Sequence, residues 1–280
     1  MSEVNPNFSL ESLQEAAIEL LVSLIKTPSF SGEEDKTASL IEDFLKGYGI
    51  ASFRENNNVW AFSPKNKKGQ KTILLNSHHD TVKSGVSWTK DPFGAQREGD
   101  KLFGLGSNDA GASAVSLLAS FVYLSGQDLP YNLCVAITGE EENSGKNNVG
   151  SILDKLGKID LGIVGEPTIV VDVRVNENYT NQQVVEQIQN KVDLEVVPRS
   201  LRLNSSRINP SHPIVIKAQE MGCKLYGSPT LSDQSVMPFD TVKIGPGDSA
   251  RSHTPDEYIY LEEIKQGIQK YIELLGDFSF

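Results

Sequence analysis

Two histidines and an aspartate stand together at the end of an apolar run, in the segment LLNSHHDTV at residues 74–82. Side chains two positions apart in a strand share a face, so His78 and Asp80 point together and His79 points away. A carboxylate behind an imidazole often orients the ring for metal binding. The pair alone is also compatible with ordinary polar residues at a strand end, so the chemistry depends on partners elsewhere in the chain.

Acidic residues and one more histidine occur at comparable places. Asp109 follows GLGSN just before a run of small residues, and three glutamates at 140–142 end the apolar segment LCVAIT. Glu166 follows LGIV, and His253 lies in the loop ARSHTPDE. The carboxyl ends of strands line the binding crevice of open α/β sheets. Most acidic runs are solvated loops, but beside a buried strand the repulsion between these carboxylates favours a bound cation.

The elements that must position these residues indicate an α/β protein with a mostly parallel, mixed sheet covered by helices. Apolar residues at helical spacing predict helices over residues 9–26 and 33–46. NVWAFSP, KTILLNSHH, NLCVAIT and DLGIV are typical of strands, and GASAVSLLASFVYL of a buried helix. The chain closes with a strand, a loop and a long amphipathic helix. Residues 169–207 differ, because alternating strands there flank a short helix in a small β-α-β piece.

The bulk composition is typical of a globular protein, with 280 residues, 38% hydrophobic and 22% charged. A net charge of −11 argues against nucleic acid as a partner. No apolar run approaches the roughly 20 residues of a membrane span, and MSEVNPNFSLESLQEA lacks the pattern of a signal peptide, which predicts a cytoplasmic location. Cys134 and Cys223 lie far apart without CxxC neighbours and are predicted to be free thiols.

Five ordered segments resemble the signatures of the M20 (aminoacylase/carboxypeptidase-like) metallohydrolases: SHHDTV, GLGSNDAGAS, TGEEENSGK, IVGEPT and GPGDSARSHTPDEY. The resemblance covers most of residues 9–168 and about 208–280. GEEENSGK and GSPTLSDQ are most similar to the acetylornithine deacetylase branch, including versions that act on related N-acyl ornithine or citrulline substrates. The resemblance implies a zinc-dependent exopeptidase-like catalytic domain that hydrolyses the amide bond of a small N-acyl-L-amino acid, as in arginine biosynthesis.

The resemblance also implies a two-metal site. Asp109 would bridge the two ions. His78 and Glu166 would complete the protein ligands of one ion, and Glu142 and His253 those of the other. Two histidines and three carboxylates suit two Zn²⁺ ions, and a carboxylate-rich set can also take Co²⁺ or Mn²⁺.

Further roles follow from the same resemblance. Glu141 would be the general base, which takes a proton from water and passes it to the leaving amine, and Asp80 would be the carboxylate behind the first histidine. Glu140 has no implied chemical role. Arg251 could bind the substrate α-carboxylate through two hydrogen bonds, or it could be a surface arginine. Members of the family commonly have a cis peptide after the bridging aspartate, here between residues 109 and 110.

The chain departs from the family pattern after GEPT, where relatives usually continue into a lid and dimerisation domain. We expect a catalytic domain of residues 1–168 and 208–280, with residues 169–207 as a truncated lid. The absent part would carry a histidine that stabilises the oxyanion, and loss of such a donor typically costs 10²–10³-fold in kcat. Full-lid relatives dimerise, whereas this chain could be monomeric and impaired in activity.

Two alternative functions remain compatible with the residues. An M20 exopeptidase or a succinyl-diaminopimelate desuccinylase would use the same metal chemistry on another small substrate. A non-catalytic metal-binding scaffold would fit the shortened lid, although retention of Glu141 argues against it because a scaffold has no need of a general base. In each case the predicted partner is a small molecule, without nucleic acid or membrane.

Overall fold

The computed structural model describes residues 9–167, 182–183, 186, 206–225 and 232–280. The lid remnant predicted over residues 169–207 therefore falls outside the described residues, apart from a few positions. The same holds for most of the GSPTLSDQ segment. None of the helices in the described ranges has the length and apolarity that a bilayer crossing requires, and the cytoplasmic location stays a prediction.

Nine strands are present among the described residues, in a main sheet and a small sheet. In chain order they are β1 (Ser52–Glu55), β2 (Asn58–Phe62), β3 (Thr72–His78), β4 (Gln96–Glu98), β5 (Lys101–Phe103), β6 (Asn132–Thr138), β7 (Leu161–Val164), β8 (Thr241–Lys243) and β9 (Tyr258–Tyr260). Six named helices accompany them: α1 (Leu10–Ile25), α2 (Asp35–Gly47), α3 (Ala112–Ser125), α4 (Leu153–Leu156), α5 (Pro213–Glu220) and α6 (Leu261–Gly276).

The main sheet has the strand order β1-β2-β6-β3-β7-β8. Strands β6, β3, β7 and β8 run parallel, while β1 and β2 form an antiparallel edge. The predicted α/β class and mostly parallel sheet are confirmed. Because parallel strands end at the same edge of a sheet, the segments after β3, β6 and β7 converge there. Strand β6 lies between β2 and β3, although these two are consecutive in the chain.

The small sheet has the order β4-β5-β9 and is antiparallel throughout. Strand β9 was not expected from the sequence, because three residues are too few to show a period of two. Its pairing with β5 brings the segment after His253 next to the turn Ser107–Gly111, which carries Asp109. The small sheet therefore joins two of the predicted ligand loops.

Helix α1 lies within the predicted range of 9–26, and α2 begins inside the predicted range of 33–46 and extends one residue beyond it, to Gly47. The Ser9 side chain accepts a hydrogen bond from the Ser12 N–H and so caps the start of α1. Helix α3 is buried over nearly its whole surface, because its small residues let it lie close to its neighbours. The Ser116 hydroxyl, for example, donates to the carbonyl of Ile264 on α6 at 3.5 Å.

Apolar side chains cover the main sheet on both faces. The larger cluster includes Leu21, Leu75 and Phe121 with residues of α2 and α6. The smaller cluster on the opposite face includes Leu74 and Cys134. Cys134 is buried and Cys223 is half-buried, and both are free. Double-sided burial explains why the central strands are continuous apolar runs rather than alternating ones.

The close approach of the segment after β8 to the end of β7 leaves no space for a side chain at Gly245. An added Cβ there would lie 2.7 Å from the carbonyl oxygen of Glu166 and 2.9 Å from its nitrogen. Such distances are below van der Waals contact, so the backbone that carries Glu166 would have to move. Gly245 thus sets the distance between the two chain segments beside this carboxylate.

We expect Gly245→Ala to lower the free energy of unfolding by about 1–3 kcal/mol, the usual cost of forcing an extra group into a packed interior. Chemical denaturation monitored by circular dichroism measures the change. Gly276→Ala is the matched control, since no atom lies within 4 Å of its added Cβ at the end of α6. This control should be neutral or stabilising by up to about 1 kcal/mol. Equal stability of the two variants would contradict the steric argument.

Candidate metal centre

His78, Asp109 and Glu166 form a first ligand group at the carboxyl edge of the main sheet. His78 is the last residue of β3, and Glu166 follows β7, the neighbouring parallel strand. The His78 Nε2 atom lies 3.4 Å from Asp109 Oδ1 and 3.4 Å from Glu166 Oε1. The three side chains therefore present one histidine nitrogen and two carboxylate oxygens to a common point.

Two atoms of this group, His78 Nε2 and Glu166 Oε1, are buried and have no hydrogen-bond partner among the described residues. A buried polar atom without a partner is costly, so it usually marks a missing ligand. On its other side the His78 Nδ1 atom lies 3.1 Å from the Asp80 carbonyl and 3.3 Å from Asp80 Oδ1. Nδ1 therefore donates toward Asp80, which leaves Nε2 as the nitrogen that faces the ligand group and that a metal would bind on the neutral ring. The donor set fits a divalent cation.

Asp109, Glu142 and His253 form a second ligand group. The His253 Nε2 atom lies 3.0 Å from Glu142 Oε2 and 3.5 Å from Asp109 Oδ2. Asp109 thus offers Oδ1 to the first group and Oδ2 to the second, which is the geometry of a carboxylate that bridges two ions. His253 is half-exposed at 51% of its side chain, whereas His78 is 1% exposed. The second group is the more accessible of the two.

The turn that carries Asp109 is unusual in its backbone. The peptide bond between Asp109 and Ala110 is cis, as the family resemblance implies. Gly106 precedes it at φ 76°, a left-handed conformation that favours glycine. A Cβ on Gly106 would also lie 2.6 Å from the Thr81 methyl group. The turn therefore packs closely against the segment that follows β3.

Asp80 connects the first histidine to the glutamate loop after β6. Its Oδ1 atom accepts a hydrogen bond from the N–H of Glu141, and its Oδ2 atom one from the N–H of Glu142, both at 3.1 Å. The Ser31 hydroxyl donates to Oδ2 at 2.7 Å. One carboxylate thus holds both the His78 ring and the backbone of two residues for which the sequence predicts roles.

Charges in the centre shift several pKa values. Burial lowers the pKa of His78, but the nearby carboxylates, with Glu166 foremost, outweigh burial and raise that pKa well above its usual value. Burial raises the pKa of Glu141 well above its usual range, and Glu166 adds to this effect. Burial likewise raises the pKa of Glu142, although its hydrogen bond with His253 opposes the shift. In Glu141 and Glu142, burial and the neighbouring negative charges therefore both disfavour the charged form.

The three adjacent glutamates have separate surroundings. Glu141 points toward the first group, with Oε2 at 3.9 Å from His78 Nε2. Glu140 adopts φ 55° and turns its carboxylate away, where it accepts hydrogen bonds from the Asn147 N–H and side-chain amide at 3.1 and 2.6 Å. This orientation is compatible with the absence of a chemical role for Glu140.

Arg251 and His79 lie outside the two ligand groups. The Arg251 guanidinium donates to both oxygens of Glu263, at 2.6 and 3.0 Å, and stacks over Tyr258. Its substrate role stays a prediction that would require the arginine to leave this ion pair. His79 points to the opposite side, as its position in the strand predicts, with Nε2 at 2.9 Å from the Asn57 carbonyl.

Three further buried acids lie around the centre. Sequence reasoning missed two of them, Glu34 and Glu257, whereas Asp233 is predicted from GSPTLSDQ to face the substrate pocket. Glu34 accepts from the Glu140 N–H at 3.1 Å and from the Asn57 amide at 2.6 Å. Asp233 accepts from Thr138 at 2.8 Å, and burial raises its pKa to about 7. Glu257 accepts from three backbone N–H groups, and burial raises its pKa to about 8. In the sequence these acids are visible only as members of short polar segments: Glu34 in SGEE, Asp233 in LSDQ and Glu257 in PDEY.

Comparison with known proteins gives a family match over most of the chain. The model described as Peptidase family M20/M25/M40 matches residues 74–277. This range contains both ligand groups together with Asp80 and Glu141.

Curated relatives share part of the chain. Succinyl-diaminopimelate desuccinylase of Dinoroseobacter shibae is 36% identical over 162 residues, which cover 54% of this chain and 42% of that protein. The protein of the same name from Wigglesworthia glossinidia brevipalpis is 31% identical over 163 residues, with 54% and 42% covered. The chain therefore spans less than half the length of these relatives.

Solved structures share the fold. The M20 family metallo-carboxypeptidase Sso-CP2 from Sulfolobus solfataricus has a TM-score of 0.71 at 14% identity, covering 92% of this chain and 98% of that one. The YXEP protein of Bacillus subtilis, described as a dinuclear metal binding peptidase, has a TM-score of 0.70 at 12% identity, with 95% and 98% covered. At these identities the likeness concerns the fold alone.

We expect metal binding to the second group to release a proton from His253. Its hydrogen bond with Glu142, the largest cause, raises the pKa of His253 to about 9. The ring is therefore protonated at pH 7, whereas a metal needs the neutral ring. The apparent affinity should rise with pH, by up to about tenfold per unit for each proton released, until about pH 9. Zinc calorimetry in buffers of different ionisation enthalpy counts the protons. His253→Ala should release fewer, and an affinity independent of pH would contradict this expectation.

Proposed function

The chain belongs to peptidase family M20/M25/M40, and from this we propose that it is a metal-dependent amidohydrolase of small N-acyl amino acids. One observation carries the proposal. Asp109 presents one oxygen to His78 and the other to His253, each within 3.5 Å. Such a shared carboxylate between two histidine-containing groups suits a pair of ions that cooperate on one amide bond.

His78, Asp109 and Glu166 would hold the first ion. Asp109, Glu142 and His253 would hold the second. The nitrogen and oxygen donors favour Zn²⁺, and Co²⁺ or Mn²⁺ would also suit them. When bound, such a pair lowers the pKa of a water molecule and polarises the amide carbonyl.

Glu141 would move the proton in the proposed reaction. Its carboxylate lies beside the first group without being one of the predicted ligands. It would take a proton from the attacking water and deliver it to the nitrogen of the leaving amine. Burial raises its pKa well above the usual range of a glutamate, which makes the carboxylate a stronger base for this step. Asp80 would keep the His78 ring and the Glu141 backbone in place meanwhile.

The acyl group and amino acid are a finer part of the proposal. The curated relatives described above are named succinyl-diaminopimelate desuccinylase, which makes N-succinyl-diaminopimelate the first candidate substrate. The acetylornithine deacetylase assignment, and with it arginine biosynthesis, rests only on the wording of two sequence segments. N-acetylornithine is therefore the second candidate.

Residues 1–168 and 208–280 would form one catalytic domain. This proposal is supported by the main sheet, because β8 pairs with β7 although the proposed lid remnant at 169–207 separates the two strands in the sequence. The short lid stays a prediction, as does its consequence of weak activity. Dimerisation through that domain belongs to relatives with a full lid, and a monomeric state is proposed here.

We expect Glu141→Gln to lower kcat by about 10²–10⁴-fold, because the amide cannot accept the proton of the water. Metal analysis should still find about two ions per chain, since Glu141 is not a proposed ligand. Glu140→Gln is the matched control, since that side chain turns toward Asn147 and should leave kcat nearly unchanged. Full turnover by Glu141→Gln would remove the general-base role.

A substrate panel tests the finer assignment. We expect kcat/KM to be highest for N-succinyl-diaminopimelate, lower for N-acetylornithine and lowest for an unmodified dipeptide, with Glu141→Gln as the blank. Preference for the dipeptide would indicate an exopeptidase. If two ions bind but no substrate in the panel is hydrolysed, the scaffold alternative gains support over the amidohydrolase.

A further inference from the structure

The loop before His253 is held by the residue that precedes Asp109. The Asn108 side chain accepts a hydrogen bond from the Asp248 N–H through Oδ1 and donates to the Asp248 carbonyl through Nδ2, both at 3.0 Å. Nδ2 also lies 3.3 Å from the Ser252 hydroxyl. Asn108 thus fixes the backbone on the way to His253.

The turn that carries Asp109 is held in return by Glu257, four residues after His253. Glu257 Oε1 accepts hydrogen bonds from the N–H groups of Asn108 and Asp109, both at 2.9 Å. Its Oε2 atom accepts a longer one, 3.4 Å, from the Gly106 N–H. Each ligand loop therefore supplies the side chain that anchors the other loop. We call this pair of side chains, Asn108 and Glu257, the clasp.

Both members of the clasp are buried, with Glu257 2% exposed and Asn108 fully enclosed. The hydrogen bonds that Glu257 receives come from backbone N–H groups, and no basic side chain of the described residues forms an ion pair with it. Burial of the Glu257 carboxyl group costs stability, because burial disfavours its charged form and raises its pKa to about 8. Its presence is better explained by a positional requirement than by a gain in folding free energy.

The two ligand groups differ in how much they need such an anchor. In the first group, His78 and Glu166 are set by adjacent parallel strands of the main sheet. In the second group, His253 sits in a loop at φ 56° with half of its side chain exposed. Its distance to Asp109 is set by the small sheet nearby and by loop contacts, rather than by adjacent strands of the main sheet. The second group therefore depends on the clasp more than the first group does.

We propose that Glu257 and Asn108 are positioning residues that hold Asp109 and His253 at the separation needed to bind one cation together. The inference rests on the proposed function, since it concerns the second ion of the same centre. It predicts a selective effect: loosening the clasp should weaken the second ion and leave the first much less affected. A role limited to folding would instead affect both ions and the whole domain alike.

The test uses Zn²⁺ calorimetry on the full chain in two backgrounds. His78→Ala leaves the second group as the better site, and His253→Ala leaves the first. Adding Glu257→Ala, which removes both acceptor oxygens, should lower the Zn²⁺ affinity by about 10–100-fold in the His78→Ala background, the usual effect of losing a residue that supports metal ligands. In the His253→Ala background the affinity should change much less. That second result also shows that the Glu257→Ala chain is folded.

Asp256→Ala is the matched control. Asp256 neighbours Glu257 and also accepts three hydrogen bonds, but from Thr89 and Lys90 rather than from the Asp109 turn. We expect it to leave the Zn²⁺ affinity unchanged in both backgrounds. Asn108→Asp provides a second variant of the clasp, because it keeps the oxygen acceptor and loses the donor to the Asp248 carbonyl.

The outcomes separate the two proposals. If the unsubstituted chain binds fewer than two Zn²⁺ ions, the proposed function fails and the clasp inference fails with it. If the unsubstituted chain binds two ions but the clasp variants lower both affinities equally, or neither, the positioning role alone is overturned. Selective loss of the second ion in both Glu257→Ala and Asn108→Asp supports it.

Discussion

Mutual repulsion among buried carboxylates is the constraint on which this arrangement depends. Asp109, Glu141, Glu142 and Glu166 converge at one edge of the main sheet around a single enclosed histidine. Burial and neighbouring negative charge raise the pKa values of Glu141 and Glu142. A centre of this kind is stable with either protons or cations between the acids. The family match and the partnerless atoms of the first group favour cations.

Hydrogen bonds from backbone N–H groups to buried acids hold the loops that carry the proposed ligands. Asp80 binds the N–H groups of the glutamate loop, Glu34 binds that of Glu140, and Glu257 binds those of the Asp109 turn. Loops carry most of the proposed ligands, and loops have no strand partners of their own to fix them. Acids outside the two ligand groups therefore position the loops that carry the acids inside those groups. Because acidic residues serve both as proposed ligands and as positioning residues, the centre contains more carboxyl groups than two ions would need.

Part of this organisation could be predicted from sequence. The period of two in β3 separates His78 and Asp80 from His79, and apolar runs located the parallel strands. The grouping of Asp109 with both histidines required the resemblance to a family, because His253 is more than a hundred positions from Asp109 in the chain. The pairing of Arg251 with Glu263 and the anchoring role of Glu257 were missed, since both depend on how the last loop folds back. Strand β9, which sets that geometry, is too short for a periodic signal.

The insertion of β6 between β2 and β3 has a consequence for the order of assembly. Neither of those two strands can complete its hydrogen bonding until residues 132–138 have been synthesised and threaded between them. β8 must then join β7 from near the other end of the chain. Pairing between strands that are far apart in the chain has a large loop-closure entropy cost, which must be met before the strand contacts form. This cost slows folding. A ribosome-bound nascent chain would therefore leave β2 and β3 without their shared neighbour until β6 has been synthesised, and chaperone demand would follow from topology rather than from composition.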